Sequence, residues 1–186
     1  MKIYLKASLI TLVFGLILAG LFWQWSRSTL PQGVQKVTQL DEMEKQGLPD
    51  FELQNLEGKA VRLSQFRGKV VIVSFWASWC APCLEEFPSM IELVEKMKGD
   101  VQLVAVSQDS SREEIEAFLK SFPKSKHPDI HILWDEKHVV GDLYDAERLP
   151  ESYVAGKDLK LARKIVGSLS WSTPEALAYM KELASR

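Results

Sequence analysis

Apolar residues are distributed along this chain in three rhythms. The first is unbroken: residues 7–25, ASLITLVFGLILAGLFWQW, carry no charge. The second is a set of short continuous runs. KVVIVSFW (69–76) and DVQLVAVSQD (100–109) are rich in Val, as strands buried on both faces are. Ile130 to Trp134 reads as a third strand. The third rhythm is helical: Leu84, Phe87, Ile91 and Val94 share one face of a helix predicted over 81–98, in which Pro88 is expected to kink the axis. Glu113 to Lys120 is predicted as a helix capped by Ser110 or Ser111, and His138 to Tyr144 as a short helix. Thr173-Pro174-Glu175 opens the last helix with proline in its first turn. Two hairpins complete the list, one at 51–63 turning over Asn55 to Lys59, the other joining 152–155 to 159–166 around Gly156-Lys157-Asp158. Strands alternating with helices, flanked by hairpins, predict an α/β domain with a parallel centre and antiparallel margins.

The unbroken run needs a different solvent. Nineteen residues at about 1.5 Å each reach roughly 28 Å, close to the apolar thickness of a bilayer. Lys2 and Lys6 precede it and Trp23 and Trp25 close it, the order of an inserted helix. A cleaved signal should end in small residues, yet Ala19-Gly20 run into Leu21, Phe22 and Trp23. The expectation is a short cytoplasmic segment (1–6), a single transmembrane anchor (7–25), a linker (26–47) and a folded domain (48–186) in the periplasm, with the protein held in the inner membrane.

Composition narrows the function. The chain has 186 residues and is 46% hydrophobic, enough for one domain with a real core. From Pro49 onward 18 basic residues face 22 acidic ones, which argues against nucleic acid as a partner.

Both cysteines, Cys80 and Cys83, lie in WASWCAPC, where the first central strand hands over to its helix. A zinc site needs more ligands, and His127, His131 and His138 lack metal-site spacing, so no metal is expected. A disulfide closing so small a loop stabilises little. The reactive reading has a mechanism. Cys80 stands at a helix N-terminus, where unpaired N–H groups and the macrodipole favour a thiolate, so it is the expected nucleophile. Cys83, one turn on and on the apolar face, is the expected resolving thiol. Glu86, at the flank of that face, is either a solvated helix glutamate or an acid/base for Cys83.

Residues 48–83, LPDFELQNLEGKAVRLSQFRGKVVIVSFWASWCAPC, and 143–167, LYDAERLPESYVAGKDLKLARKIVG, resemble the membrane-anchored thioredoxins of the TlpA/ResA and CcmG/DsbE type. The resemblance implies a thioredoxin fold, a mixed sheet with helices on both faces, extended by the N-terminal hairpin. It implies that Cys80 and Cys83 form the redox disulfide and that Leu149-Pro150 is the cis-proline loop; from the residues alone Pro150 could equally be trans. It aligns Glu86 with an active-site glutamate, and Glu151 with a glutamate beside the cis-proline. Trp79, Pro82, Leu149, Pro150 and Glu151 are then the expected substrate-binding surface. The chain departs from ordinary thioredoxin at Ser74, where an aspartate usually stands, and carries Ala81-Pro82 between its cysteines.

The expected activity is thiol-disulfide oxidoreduction without a bound cofactor. The chain would reduce selected periplasmic protein disulfides, such as those of apocytochrome c, with electrons from a membrane thiol carrier. A general periplasmic oxidant or isomerase is the alternative. A copper metallochaperone is weaker: two thiolates suit Cu(I), but the loop before Pro150 has no histidine. A peroxidase pattern is absent, since Phe75 to Trp79 lack its proline and threonine.

Overall fold

Strand β3 (Val70–Trp76) is buried at all seven positions, as its continuous apolar run predicts. Successive side chains of a strand point to opposite faces, so β3 feeds two cores. Val70, Ile72 and Trp76 enter one with Phe87, Leu93, Phe118 and Trp171; Val71, Val73 and Phe75 enter the other with Phe51, Leu63, Tyr144 and Tyr153. Aromatic rings knit each core, Trp76 lying 4.5 Å from Phe118 and Phe75 5.3 Å from Tyr144.

The computed structural model describes residues 13–25 and 32–186. The elements are α1 (Gln32–Gln46), β1 (Glu52–Asn55), β2 (Ala60–Arg62), β3, α2 (Ala81–Met97), β4 (Val101–Ser107), α3 (Arg112–Leu119), β5 (Ile130–Trp134), α4 (Val139–Tyr144), β6 (Glu151–Ala155), β7 (Leu161–Val166) and α5 (Pro174–Ser185). Seven strands form one sheet in the order β2-β1-β5-β4-β3-β6-β7. β3, β4 and β5 are parallel, while β1, β2, β6 and β7 run antiparallel to their neighbours. This is the predicted mixed thioredoxin sheet, with the N-terminal hairpin added beyond β5. The caps follow the sequence too: the Ser111 hydroxyl accepts from the Glu114 N–H, and Thr173 accepts from the Ala176 N–H ahead of Pro174.

The stretch read as a linker, 26–47, contains α1, and one compact unit runs from Leu40 to Arg186. Met43 is only 2% exposed and joins the core with Phe51 and Leu159. Gly47 then takes a positive φ of 104°, and the Leu48 N–H donates to the Leu159 carbonyl at 2.8 Å, which ends α1 and turns the chain into the domain. Leu40, three residues earlier on α1, packs against the same core. The anchor expected over 7–25 falls partly on residues 1–12, outside the described residues; 13–25 are helical and exposed. Among the described residues no helix is long and apolar enough to cross a membrane.

Met43→Ala is expected to cost about 2–3 kcal/mol in urea unfolding, as other buried Met truncations do. Asp41→Ala, on the exposed side of the same helix, should change stability by under about 0.5 kcal/mol.

Candidate active site

At the end of β3 the chain leaves the sheet through Ala77-Ser78-Trp79 and enters α2. Asp109, fully buried just past β4, fastens this turn. Its carboxylate accepts from the Ser78 N–H (2.9 Å), the Ser78 hydroxyl (2.7 Å) and the Ser107 hydroxyl (2.7 Å). Three donors compensate the loss of water. Asp109 was not singled out from the sequence, because only the pairing of β3 with β4 brings it to Ser78.

Cys80 is the N-cap of α2, and the Cys83 N–H donates to its sulfur at 3.3 Å. Pro82 falls in the first turn, where no N–H is required. Cys80 and Cys83 are joined as a disulfide. Both are buried as residues, while Trp79 beside them is 67% exposed and Pro82 is also exposed. When the pair is reduced, the same N–H and the helix N-terminus favour a thiolate at Cys80.

Leu149-Pro150 is cis. Antiparallel pairing of β6 with β3 sets Glu151 opposite Phe75, so Pro150 arrives beside Trp76 at the mouth of the WASWCAPC turn. Leu149 packs against the core that contains both cysteines.

Glu151, expected on the substrate-binding surface, has a side chain only 2% exposed and turned inward. It pairs with Lys164 of β7, accepts from the Arg148 N–H at 3.4 Å, and lies 3.0 Å from the Tyr153 hydroxyl. The Lys164 ammonium also sits 4.8 Å from the centre of the Tyr153 ring. Burial, then the Glu151 charge, holds the Tyr153 phenol protonated far above its ordinary range. The carboxylate faces inward towards a cation that β7 supplies, which nothing near Pro150 in the sequence reveals.

Ser74 is buried, and the Ser152 hydroxyl donates to it at 3.0 Å. A neutral hydroxyl pair therefore occupies the strand position where thioredoxin carries an acid. The buried acid lies on α2 instead. Glu86 is 4% exposed. It accepts from the Trp171 indole N–H and from the Leu169 backbone N–H. Burial pushes its carboxyl up from the ordinary 4.5 to about 7, and the two donors partly oppose that rise. Glu86 lies three residues past Cys83 on the same buried face of α2. A carboxyl poised near neutrality beside a thiol can exchange a proton with it.

The histidines lie elsewhere in the fold: His131 bonds to Gln102, His138 to Gln108, and His127 accepts from the Asp129 N–H. Among the described residues no three His, Cys, Asp or Glu side chains gather as a metal-ligand set.

This arrangement has known counterparts. Residues 45–164 match the AhpC/TSA family. The chain belongs to that family. It resembles several thiol-disulfide oxidoreductases. The chain is 33% identical over 157 residues to the thiol-disulfide oxidoreductase ResA of Bacillus cereus (strain ATCC 10987 / NRS 248), covering 83% of this chain and 86% of that protein. It is 31% identical over 125 residues to ResA of Bacillus subtilis (strain 168), covering 67% and 68%. Its structure resembles a putative thiol:disulfide interchange protein DsbE from Chlorobium tepidum, with a TM-score of 0.62 and 30% identity over 74% of this chain and 92% of that one. This AhpC/TSA-family protein is thus a thioredoxin-fold member of the TlpA/ResA/CcmG group. It is a thiol-disulfide oxidoreductase that cycles Cys80 and Cys83 between dithiol and disulfide, and its substrates are disulfide-containing proteins.

Two outcomes test these buried groups. Lys164→Met strands the Glu151 carboxylate and is expected to cost about 3–5 kcal/mol in urea unfolding, with Lys164→Met/Glu151→Gln recovering part of it. Glu86 binds its proton more tightly folded than unfolded, so its contribution is complete below pH 4.5 and is lost as pH rises through 7. The oxidised protein should lose on the order of 3 kcal/mol across that window relative to Glu86→Gln, read by urea titrations at each pH.

Proposed function

We propose that this chain is a membrane-anchored periplasmic reductant of selected protein disulfides, such as those of apocytochrome c before haem attachment. The observation that carries the reading is the buried Glu86 carboxyl, titrating near 7 one turn past Cys83. It gives the resolving thiol its own base. The uncharged run at 7–25 supports anchoring, and the likeness to ResA and DsbE supports the choice of substrate class.

The reaction starts from the dithiol. The Cys80 thiolate attacks one sulfur of the target disulfide, forming a mixed disulfide and expelling the other target sulfur as a thiolate. Glu86 takes the proton from Cys83. The Cys83 thiolate attacks the Cys80 sulfur, which re-forms the Cys80–Cys83 disulfide and releases the second target thiolate. Two electrons pass to the target, and the two thiolates collect their protons from Glu86 and water. The disulfide state described here is the product, and a membrane thiol carrier restores the dithiol. Trp79, Pro82, Leu149 and Pro150 form the surface over which the target chain lies.

Cys83→Ser should accumulate mixed disulfides between Cys80 and partner proteins in the native host, and their identification names the substrate. Equal trapping by Cys80→Ser would overturn this assignment of roles. Equilibration with glutathione fixes the direction: a potential near about −120 mV, that of a strong oxidant, would replace the reductant with the general oxidant.

A further inference from the structure

The loop between β7 and α5 reaches both halves of the site. Gly167 takes a positive φ of 91°, and its N–H donates to the Pro150 carbonyl at 2.9 Å. Two residues on, the Leu169 N–H reaches the Glu86 carboxyl. The chain then buries Trp171 completely. The Trp171 backbone N–H donates to the Ser89 hydroxyl oxygen at 3.0 Å, and that hydroxyl donates to the Glu86 carbonyl at 2.8 Å. The indole N–H is thereby aimed at Glu86 Oε1.

We propose that Trp171 is a positioning residue for disulfide exchange, holding and tuning through its indole N–H the carboxyl that takes the Cys83 proton. This rests on the reading of Glu86 as that base.

The physical case has two parts. A carboxyl on a flexible glutamate stem has several rotamers. Trp171, wedged in the core and tied to α2 through Ser89, selects one. Second, an indole nitrogen can only donate. A donor favours the ionised carboxyl, whereas burial favours the neutral one. Burial alone would keep Glu86 protonated at neutral pH and unable to accept a proton. An exposed Glu86 would be too weak a base. The donors bring it back into the range where it both accepts and returns a proton.

The neighbouring charges do not supply this balance. On α2, Glu85 is exposed and Glu92 is held below its ordinary range by Lys96 and Ser172. On α5, Glu175, Lys181 and Glu182 are exposed, Glu182 being paired with Arg186. On β7, Arg163 stacks over Tyr179 and Lys164 pairs with Glu151. The Glu86 shift has burial, Trp171 and Leu169 as its causes.

The test uses the full reduced chain and an aromatic disulfide whose released thiolate is coloured. The first release reports attack by Cys80 and the second reports resolution by Cys83. Trp171→Phe keeps most of the bulk and removes the donor. The midpoint of the second release should rise by about one pH unit, a roughly tenfold slower step at pH 7, while the first release is unchanged. In a Glu86→Gln background Trp171→Phe should add no further shift. A benzothiophene analogue of tryptophan placed at 171, with sulfur for N–H, preserves the packing should Trp171→Phe fail to fold. An unmoved midpoint in whichever variant folds overturns the role of Trp171. If Glu86→Gln itself leaves the profile unchanged, the reading of Glu86 as base fails, which is a separate result. Lower stability with an unmoved midpoint makes Trp171 a core residue only.

Discussion

Strand β3 has no solvent face, and much of the molecule follows from that constraint. A strand covered on both sides requires helices on both sides, and its alternating side chains seed two cores instead of one. Parallel neighbours extend the sheet on one margin and an antiparallel hairpin on the other. The strand ends at Trp76, and whatever follows must leave the sheet at its C-terminal edge, where helix α2 begins. The cysteine pair stands there because the buried strand stops there.

Four polar groups caught in this interior are compensated by partners from other segments. Asp109 gathers three donors, Ser74 meets Ser152, Glu151 meets Lys164, and Glu86 meets Trp171. A buried polar group without a partner costs several kcal/mol, so such pairs are the condition for placing polar chemistry in a core. They differ in what they leave available. Asp109 is fully used in holding the turn before Trp79. Glu151 is neutralised by a cation. Glu86 has donors but no counter-charge, and it is the carboxyl that burial lifts towards neutrality. An acid near neutrality suits proton transfer, and its place on α2 rather than β3 separates this protein from ordinary thioredoxin.

Much of this was legible in the chain. The apolar run of β3, the helical face of α2, both hairpins and the capping residues of α3 and α5 stand in local patterns, because backbone periodicity and caps depend on neighbours in sequence. The Cys80–Cys83 pair and its place at a helix start were legible for the same reason. The burial of Met43 on α1 was not, since the partners it meets, Phe51 and Leu159, are brought to it only by the tertiary fold. The inward turn of Glu151 was hidden because its partner, Lys164, comes from the next strand, and the register of β6 on β7 decides that meeting.

The sequence by itself therefore determined the class of fold, the reactive pair, and Pro150 and Glu86 as residues to watch. The fold class, the pair and Glu86 depend on short-range geometry: strand alternation, helix phase and the N-terminus of a helix; Pro150 stood out only through the family resemblance. Tertiary structure decided what each acid does. A carboxylate's charge state depends on how much water it loses and on which donors or cations reach it, and those arrive from distant segments: Trp171 for Glu86, Lys164 for Glu151, Ser78 for Asp109.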